Sequence, residues 1–143
     1  MTILVTDNGF KVADWPPGFL SLEELRASDT AGHALHLEND VDPEDVREFF
    51  DRLAIIRVPF PSFADGRGFS IAKRLRLMGF KGTLRAYGHV LSDQYPHARR
   101  SGFDEVEIDE ALAERQPEAE WLVHANWAEH DYQARLRQAN EAA

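Results

Sequence analysis

From His33 onward, short apolar stretches alternate with amphipathic ones at regular intervals, and this alternation restricts the chain to folds built from βαβ units. His33 to Glu38, Ala54 to Val58, Thr83 to Tyr87 and Glu105 to Ile108 read as strands. Between the first two, Asp42-Pro43 sets an N-cap before a proline at the first helical position, and Val46, Phe49, Phe50 and Leu53 recur on one helical face. Phe69, Ile71, Ala72, Leu75 and Met78 stripe the next helix, which Gly79-Phe80 ends as a glycine cap with an apolar residue behind it. Ser92 to Ser101 repeats the scheme and closes on Gly102-Phe103. The expected core is an α/β arrangement over residues 31–110, with a parallel sheet of about four strands.

The flanks are less regular. Ile3-Leu4-Val5 and Lys11 to Trp15, joined at Asn8-Gly9, predict an N-terminal β-hairpin within residues 1–30, and Trp15-Pro16-Pro17-Gly18 then breaks the chain. Ser21 and Glu24 have capping-box spacing for a helical turn over 21–27, although Leu20, Leu22 and Leu25 also fit a strand. Residues 111–143 predict a helical extension packed through Trp121, Leu122 and Trp127, before a polar tail ending Asn140-Glu141-Ala142-Ala143. A chain of 143 residues that is 43% hydrophobic suits a single domain spanning 1–143.

Parallel strands covered on both faces read as continuous apolar runs, and these do not. Leu35 and Leu37 alternate with His36 and Glu38, Leu84 and Ala86 with Arg85, Val106 and Ile108 with Glu107, and Arg57 sits inside the second strand. Sequential right-handed crossovers place every helix on one side, as in half of a barrel. The other face should then hold a charged ladder, Arg57 and Arg85 against Glu38 or Glu107, covered by the hairpin, the C-terminal segment or the second subunit of a homodimer. A doubly wound flavodoxin-like order is the alternative.

The absence of cysteine excludes disulfides, thiolate metal sites, iron-sulfur clusters and cysteine nucleophiles. No flavin or nicotinamide fingerprint is present either, so no cofactor is expected, and electrons in any redox role must travel on another molecule. No basic leader and no membrane-length apolar run occur, which predicts a cytoplasmic protein without membrane attachment. The net charge of -9 argues against nucleic acid as a partner. That charge is uneven: between Arg57 and Arg100 stand nine basic residues (Arg57, Arg67, Lys73, Arg74, Arg76, Lys81, Arg85, Arg99, Arg100) against Asp65 and Asp93. Such a basic centre suits an anionic ligand or an acidic partner, unless the acidic flanks fold over it and neutralise it.

Loops that follow parallel strands meet at one edge of the sheet, where ligands bind. Two distinctive loops belong there. In Phe60-Pro61-Ser62-Phe63-Ala64-Asp65-Gly66-Arg67-Gly68-Phe69-Ser70, the two glycines at a helix start could expose N–H groups to an anion, with Arg67 as an added donor. The alternative is a plain turn capped by Asp65. In Gly88-His89-Val90-Leu91-Ser92-Asp93-Gln94, His89 is a candidate proton carrier, Asp93 an orienting carboxylate and Gln94 a polar contact, unless His89 is a bonded loop residue and Ser92 or Asp93 a cap. The candidate site comprises His89 and Asp93 for catalysis, and Asp65, Gly66, Arg67, Gly68, Ser70, Arg85 and Gln94 for anion binding. Ser62 and Ser70 lack a nucleophile elbow, and the six histidines form no metal-ligand pattern, so no metal site is expected.

These loops carry a family resemblance. Val58-Pro59-Phe60-Pro61 through Asp65-Gly66-Arg67-Gly68-Phe69-Ser70, Gly82-Thr83-Leu84-Arg85-Ala86, Gly88-His89-Val90-Leu91, Asp93-Gln94 and Arg99-Arg100-Ser101-Gly102-Phe103-Asp104 together resemble a bacterial domain of unknown function. That domain is encoded beside assimilatory sulfite reductase and is often labelled an oxidoreductase of sulfite reduction. The resemblance implies an accessory role in that pathway, with sulfite reductase, its acidic electron carrier or a small oxyanion as partner. Family members commonly carry a cysteine where this chain has Ser101 and a bulky apolar pair where it has Tyr95-Pro96, which speaks against thiol catalysis here. Two further expectations stand beside it: a small enzyme acting on a phosphate- or sulfate-bearing metabolite, and a non-catalytic dimeric scaffold.

Overall fold

A computed structural model describes residues 2–15 and 17–130. The chain opens with β1 (Thr2–Thr6) and β2 (Gly9–Val12), an antiparallel hairpin in which Gly9 adopts φ 110°. A two-residue strand β3 (Phe19–Leu20) leads into α1 (Leu22–Arg26), closed by a reciprocal capping box between Ser21 and Glu24. Then follow β4 (His33–His36), a 3-10 helix (Pro43–Arg52) and β5 (Leu53–Phe60). Next come α2 (Arg67–Leu77), β6 (Thr83–Gly88), a 3-10 turn (Ser92–Gln94) and α3 (Tyr95–Ser101). The described chain ends with β7 (Glu105–Asp109), α4 (Glu110–Arg115), α5 (Glu118–Leu122) and a 3-10 turn (Trp127–His130). The polar tail expected at the C-terminus lies outside the described residues.

All seven strands form one sheet in the order β2-β1-β7-β6-β5-β4-β3, parallel from β3 to β7 and antiparallel in the hairpin. This corrects the expectation of about four strands. The hairpin pairs with β7 in the plane of the sheet instead of lying over its face, and the dipeptide Phe19–Leu20 pairs with β4. Neither junction has a local signature, because each pairs distant stretches. From β3 to β7 spatial order follows chain order, with none of the reversal a flavodoxin-like sheet requires. The segment over 43–52 is a 3-10 helix where an α-helix was expected. Pro43, Val46 and Phe49, its buried residues, recur every three positions, which a three-residue turn aligns on one face.

The sheet is strongly curled. Laid flat, its two edge strands would stand about 29 Å apart at ~4.8 Å per step, yet the link from Val12 on β2 to Phe19 on β3 can reach only about 24 Å. Curling converges the side chains of the inner face: the Arg85 guanidinium lies 5.5 Å from the Phe19 ring, although β6 and β3 are three strands apart. The outer face packs Leu35, Ile56, Val58, Leu84, Ala86, Val106 and Ile108 against Ile71, Ala72 and Leu75 of α2 and Ala98 of α3. Both glycine caps form as expected, with Gly79 at φ 101° and Gly102 at φ 119°, and with Phe80 and Phe103 donating to Leu75 and Ala98 carbonyls.

Candidate functional site

The inner face of the curled sheet is charged. Arg85, only 4% exposed, donates to Glu107 at 3.0 Å and to Glu105 at 3.2 Å, and Arg57 reaches the same Glu107 oxygen at 3.5 Å. The second Glu107 oxygen accepts from the Thr2 hydroxyl at 2.8 Å. Arg57 Nε also donates to His36 Nδ1 at 3.0 Å, and His36 Nε2 stands 3.3 Å from Glu38. The ladder therefore runs continuously from Glu38 through His36, Arg57, Glu107 and Arg85 to Glu105, with Glu107 as the carboxylate both arginines share. Phe19 covers it, its ring 3.8 Å from the Arg57 guanidinium, and the Tyr87 ring lies 4.2 Å from the same group. Burial, together with the charge of Arg57, holds His36 below its ordinary value of 6.5.

Above this layer, at the carboxyl ends of β5, β6 and β7, lies a cavity of about 250 Å³. Thr2, Tyr87 and Glu107 line it, with Pro59, Pro61, Phe63 and Leu112 as apolar surface and His89, Asp109 and Arg115 as its remaining polar groups. The antiparallel pairing of β1 explains Thr2: its first residue sits opposite Asp109, the last residue of β7.

The two loops singled out in the sequence lie side by side. His89 N–H donates to the Phe60 carbonyl at 2.9 Å, and Gln94 Nε2 donates to the Phe63 carbonyl at 3.2 Å while its Oε1 accepts from Leu91 N–H at 2.8 Å. Gln94 thus staples one loop to the other. Gly88, at φ 109°, brings its backbone so close to Phe60 that a Cβ would lie 2.9 Å from the carbonyl oxygen. The His89 ring stacks edge-on to Phe63 at 4.9 Å, and its Nδ1 lies 3.1 Å from the Phe60 carbonyl. A carbonyl only accepts, so Nδ1 carries a hydrogen and Nε2 is the ring nitrogen left to meet a ligand.

The other candidates separate from this cavity. Asp65 accepts from Arg67 N–H at 3.1 Å and from the Arg67 guanidinium at 2.7 Å, so the chain's own carboxylate takes the donors proposed for an anion. Those bonds, first from the guanidinium and then from the N–H, hold the partly buried Asp65 carboxyl at about 2. Gly68 packs under Phe60, and Ser70 and Asp93 are exposed on the helical side, away from the cavity lining. Arg85 lies in the buried ladder. Thr2, Asp109 and Arg115 were missed. Asp109 directly follows the strand predicted over Glu105 to Ile108 and falls under the same edge rule as the loops, whereas nothing local marks Thr2 or Arg115.

The acidic flanks do fold over the basic centre. Five of its nine basic residues meet a carboxylate of the flanks, Arg57, Arg74, Arg76, Arg85 and Arg99, the last with Asp7 at 3.1 Å, and Arg67 meets Asp65 within the centre. Lys73, Lys81 and Arg100 have no such partner among the described residues.

A curled, mostly parallel sheet with helices packed on its outer face and a cavity at its carboxyl rim defines an α/β domain. The chain belongs to the family described as Bacterial protein of unknown function (DUF934), whose model matches residues 34–142. No curated protein and no solved structure matches it. Among the described residues, no helix is long and apolar enough to cross a membrane, and no group of histidine and acidic side chains is arranged to hold a metal ion.

Proposed function

We propose that this protein is an accessory component of assimilatory sulfite reduction that works by binding a small anionic metabolite or oxyanion at the carboxyl rim of its sheet. The observation that carries the reading is the junction of the β5 and β6 loops around an open cavity bearing His89 and Arg115. The Arg115 guanidinium donates to the anion, and His89 Nε2 adds a second charged donor when the ring carries both hydrogens; Pro59, Pro61 and Phe63 exclude water, and the ladder beneath keeps the floor rigid. The pathway rests on the kinship of the loop sequences. Calorimetric titration with sulfite, sulfate and phosphate tests it. Binding should weaken about tenfold or more in His89→Ala and Arg115→Ala, as expected for a lost charged hydrogen bond, and stay unchanged in Arg67→Ala. An unaltered titration in the first two, or no heat at all, overturns the reading. Capture of sulfite reductase and its electron carrier at low salt but not at high salt would extend it to a protein partner.

A second reading, a small enzyme, draws on one specific observation: the Phe60 carbonyl engages His89 Nδ1, so that Nε2 is the ring nitrogen that would exchange a proton with a substrate. It predicts turnover of a phosphate- or sulfate-bearing metabolite that His89→Gln abolishes without loss of fold. Ligand binding without turnover leaves the accessory role alone. A scaffold dimerising through the charged sheet face is less well served, since Arg85 and Glu107 are covered within one chain.

A further inference from the structure

Two of the basic residues that no carboxylate matches among the described residues share one groove. Lys73 on α2 and Arg100 on α3 flank a single groove on the helical layer, lined also by Phe69, Ser70, His97 and Ser101. Phe69 and His97 stack face to face, with ring centroids 4.0 Å apart at 12°, and make a flat platform across the groove. Ser101 does not compete for a ligand, because its hydroxyl donates to the His97 carbonyl at 2.8 Å. One helical turn beyond Lys73 stands Leu77, 79% exposed, the most exposed large apolar side chain among those described. A leucine so exposed one helical turn from a cation of the groove gives this surface an apolar anchor next to charge, as protein interfaces have. The groove belongs to the outer helical layer and shares no lining residue with the rim cavity.

We infer that the α2–α3 groove docks an acidic protein surface, whose carboxylates meet Lys73 and Arg100 while an apolar side chain packs on Leu77 and the Phe69–His97 platform. Charge complementarity selects that partner class. The chain carries -9 overall, so a groove bearing two cations and no carboxylate in its lining offers an acidic protein a favourable contact on a chain whose total charge repels it. The same background disfavours nucleic acid. The inference is independent of what the rim cavity binds.

The test titrates the isotope-labelled full chain with two probes, a peptide rich in glutamate and leucine and its counterpart with lysine in place of glutamate, following backbone amide shifts. The expected result is saturable shifts confined to α2 and α3 with the acidic peptide alone. Lys73→Glu and Arg100→Glu should each weaken binding about tenfold and steepen no other property of the fold. Leu77→Ser should weaken it as well, which loose charge attraction would not produce. Shifts at the rim, equal response to both peptides, or indifference to Leu77→Ser overturn the inference. So does a salt-sensitive dimer of the chain alone that Lys73→Glu dissolves, since the groove would then serve a second copy.

Discussion

A methyl group on Gly68 would lie 2.4 Å from the edge of the Phe60 ring, so the absence of a side chain there lets the first turn of α2 sit against β5. Gly68→Ala should lower stability by about 1–3 kcal/mol through overpacking, read from chemical denaturation. Gly66→Ala, with a negative φ and only the Phe69 ring at 3.8 Å, should change it by less than about 0.5 kcal/mol. The glycine pair was legible as a tight helix start, but the sequence could not say which glycine packs and which merely turns, because that depends on where Phe60 points. His36 provides a second test. Its folded value lies below the 6.5 of the free side chain, through burial and then the charge of Arg57. The unfolded chain therefore takes up the proton first, and the contribution of neutral His36 is present above pH 6.5 and lost as the pH falls below it. Thermal melting between pH 8 and 5 should show that decline, and His36→Gln should flatten it.

Elements owe their positions to the ladder as much as to the apolar layer. Arg85 on β6 and Glu107 on β7 cross-link neighbouring strands inside the curl, while Arg57 joins β5 and, through His36, β4. Arg85→Met leaves the largely buried Glu107 and Glu105 each short of a charged partner, and should cost about 3–5 kcal/mol as for other broken buried pairs. Urea unfolding measures this, and a loss under about 1 kcal/mol would mean that Arg57 alone satisfies the carboxylate. The ladder was legible as alternating charge along the strands. Its choice of Glu107 over Glu38 was not, since register between strands decides which carboxylate faces both arginines. In the same way the apolar spacing over 43–52 showed a buried face without showing that a three-residue turn would build it.

At the level of the whole molecule, Asp7 ties the chain's beginning to its end. Its carboxylate accepts from the Tyr95 hydroxyl on α3, from Arg99 at 3.1 Å and from the Trp127 indole at 3.3 Å. Burial alone would raise its pKa. The bonds from Tyr95 and Trp127 and the charge of Arg99 outweigh that and hold it below 3.8. Because the folded value is the lower one, this stabilisation is complete above pH 3.8 and disappears as the pH drops through the folded value. Acid unfolding followed by circular dichroism should accordingly begin at higher pH in Asp7→Asn than in the parent chain. By itself the sequence determined the alternation of strands and helices, which residues face the apolar layer, and the glycine caps that end α2 and α3, since all of these depend on spacing within a few residues. Only the tertiary structure decided that β3 and the hairpin extend the sheet, that acidic flanks neutralise most of the basic centre, and that Thr2, Asp109 and Arg115 share one cavity with His89. These outcomes bring together side chains more than a hundred residues apart, and no local pattern encodes a contact made only when the sheet curls.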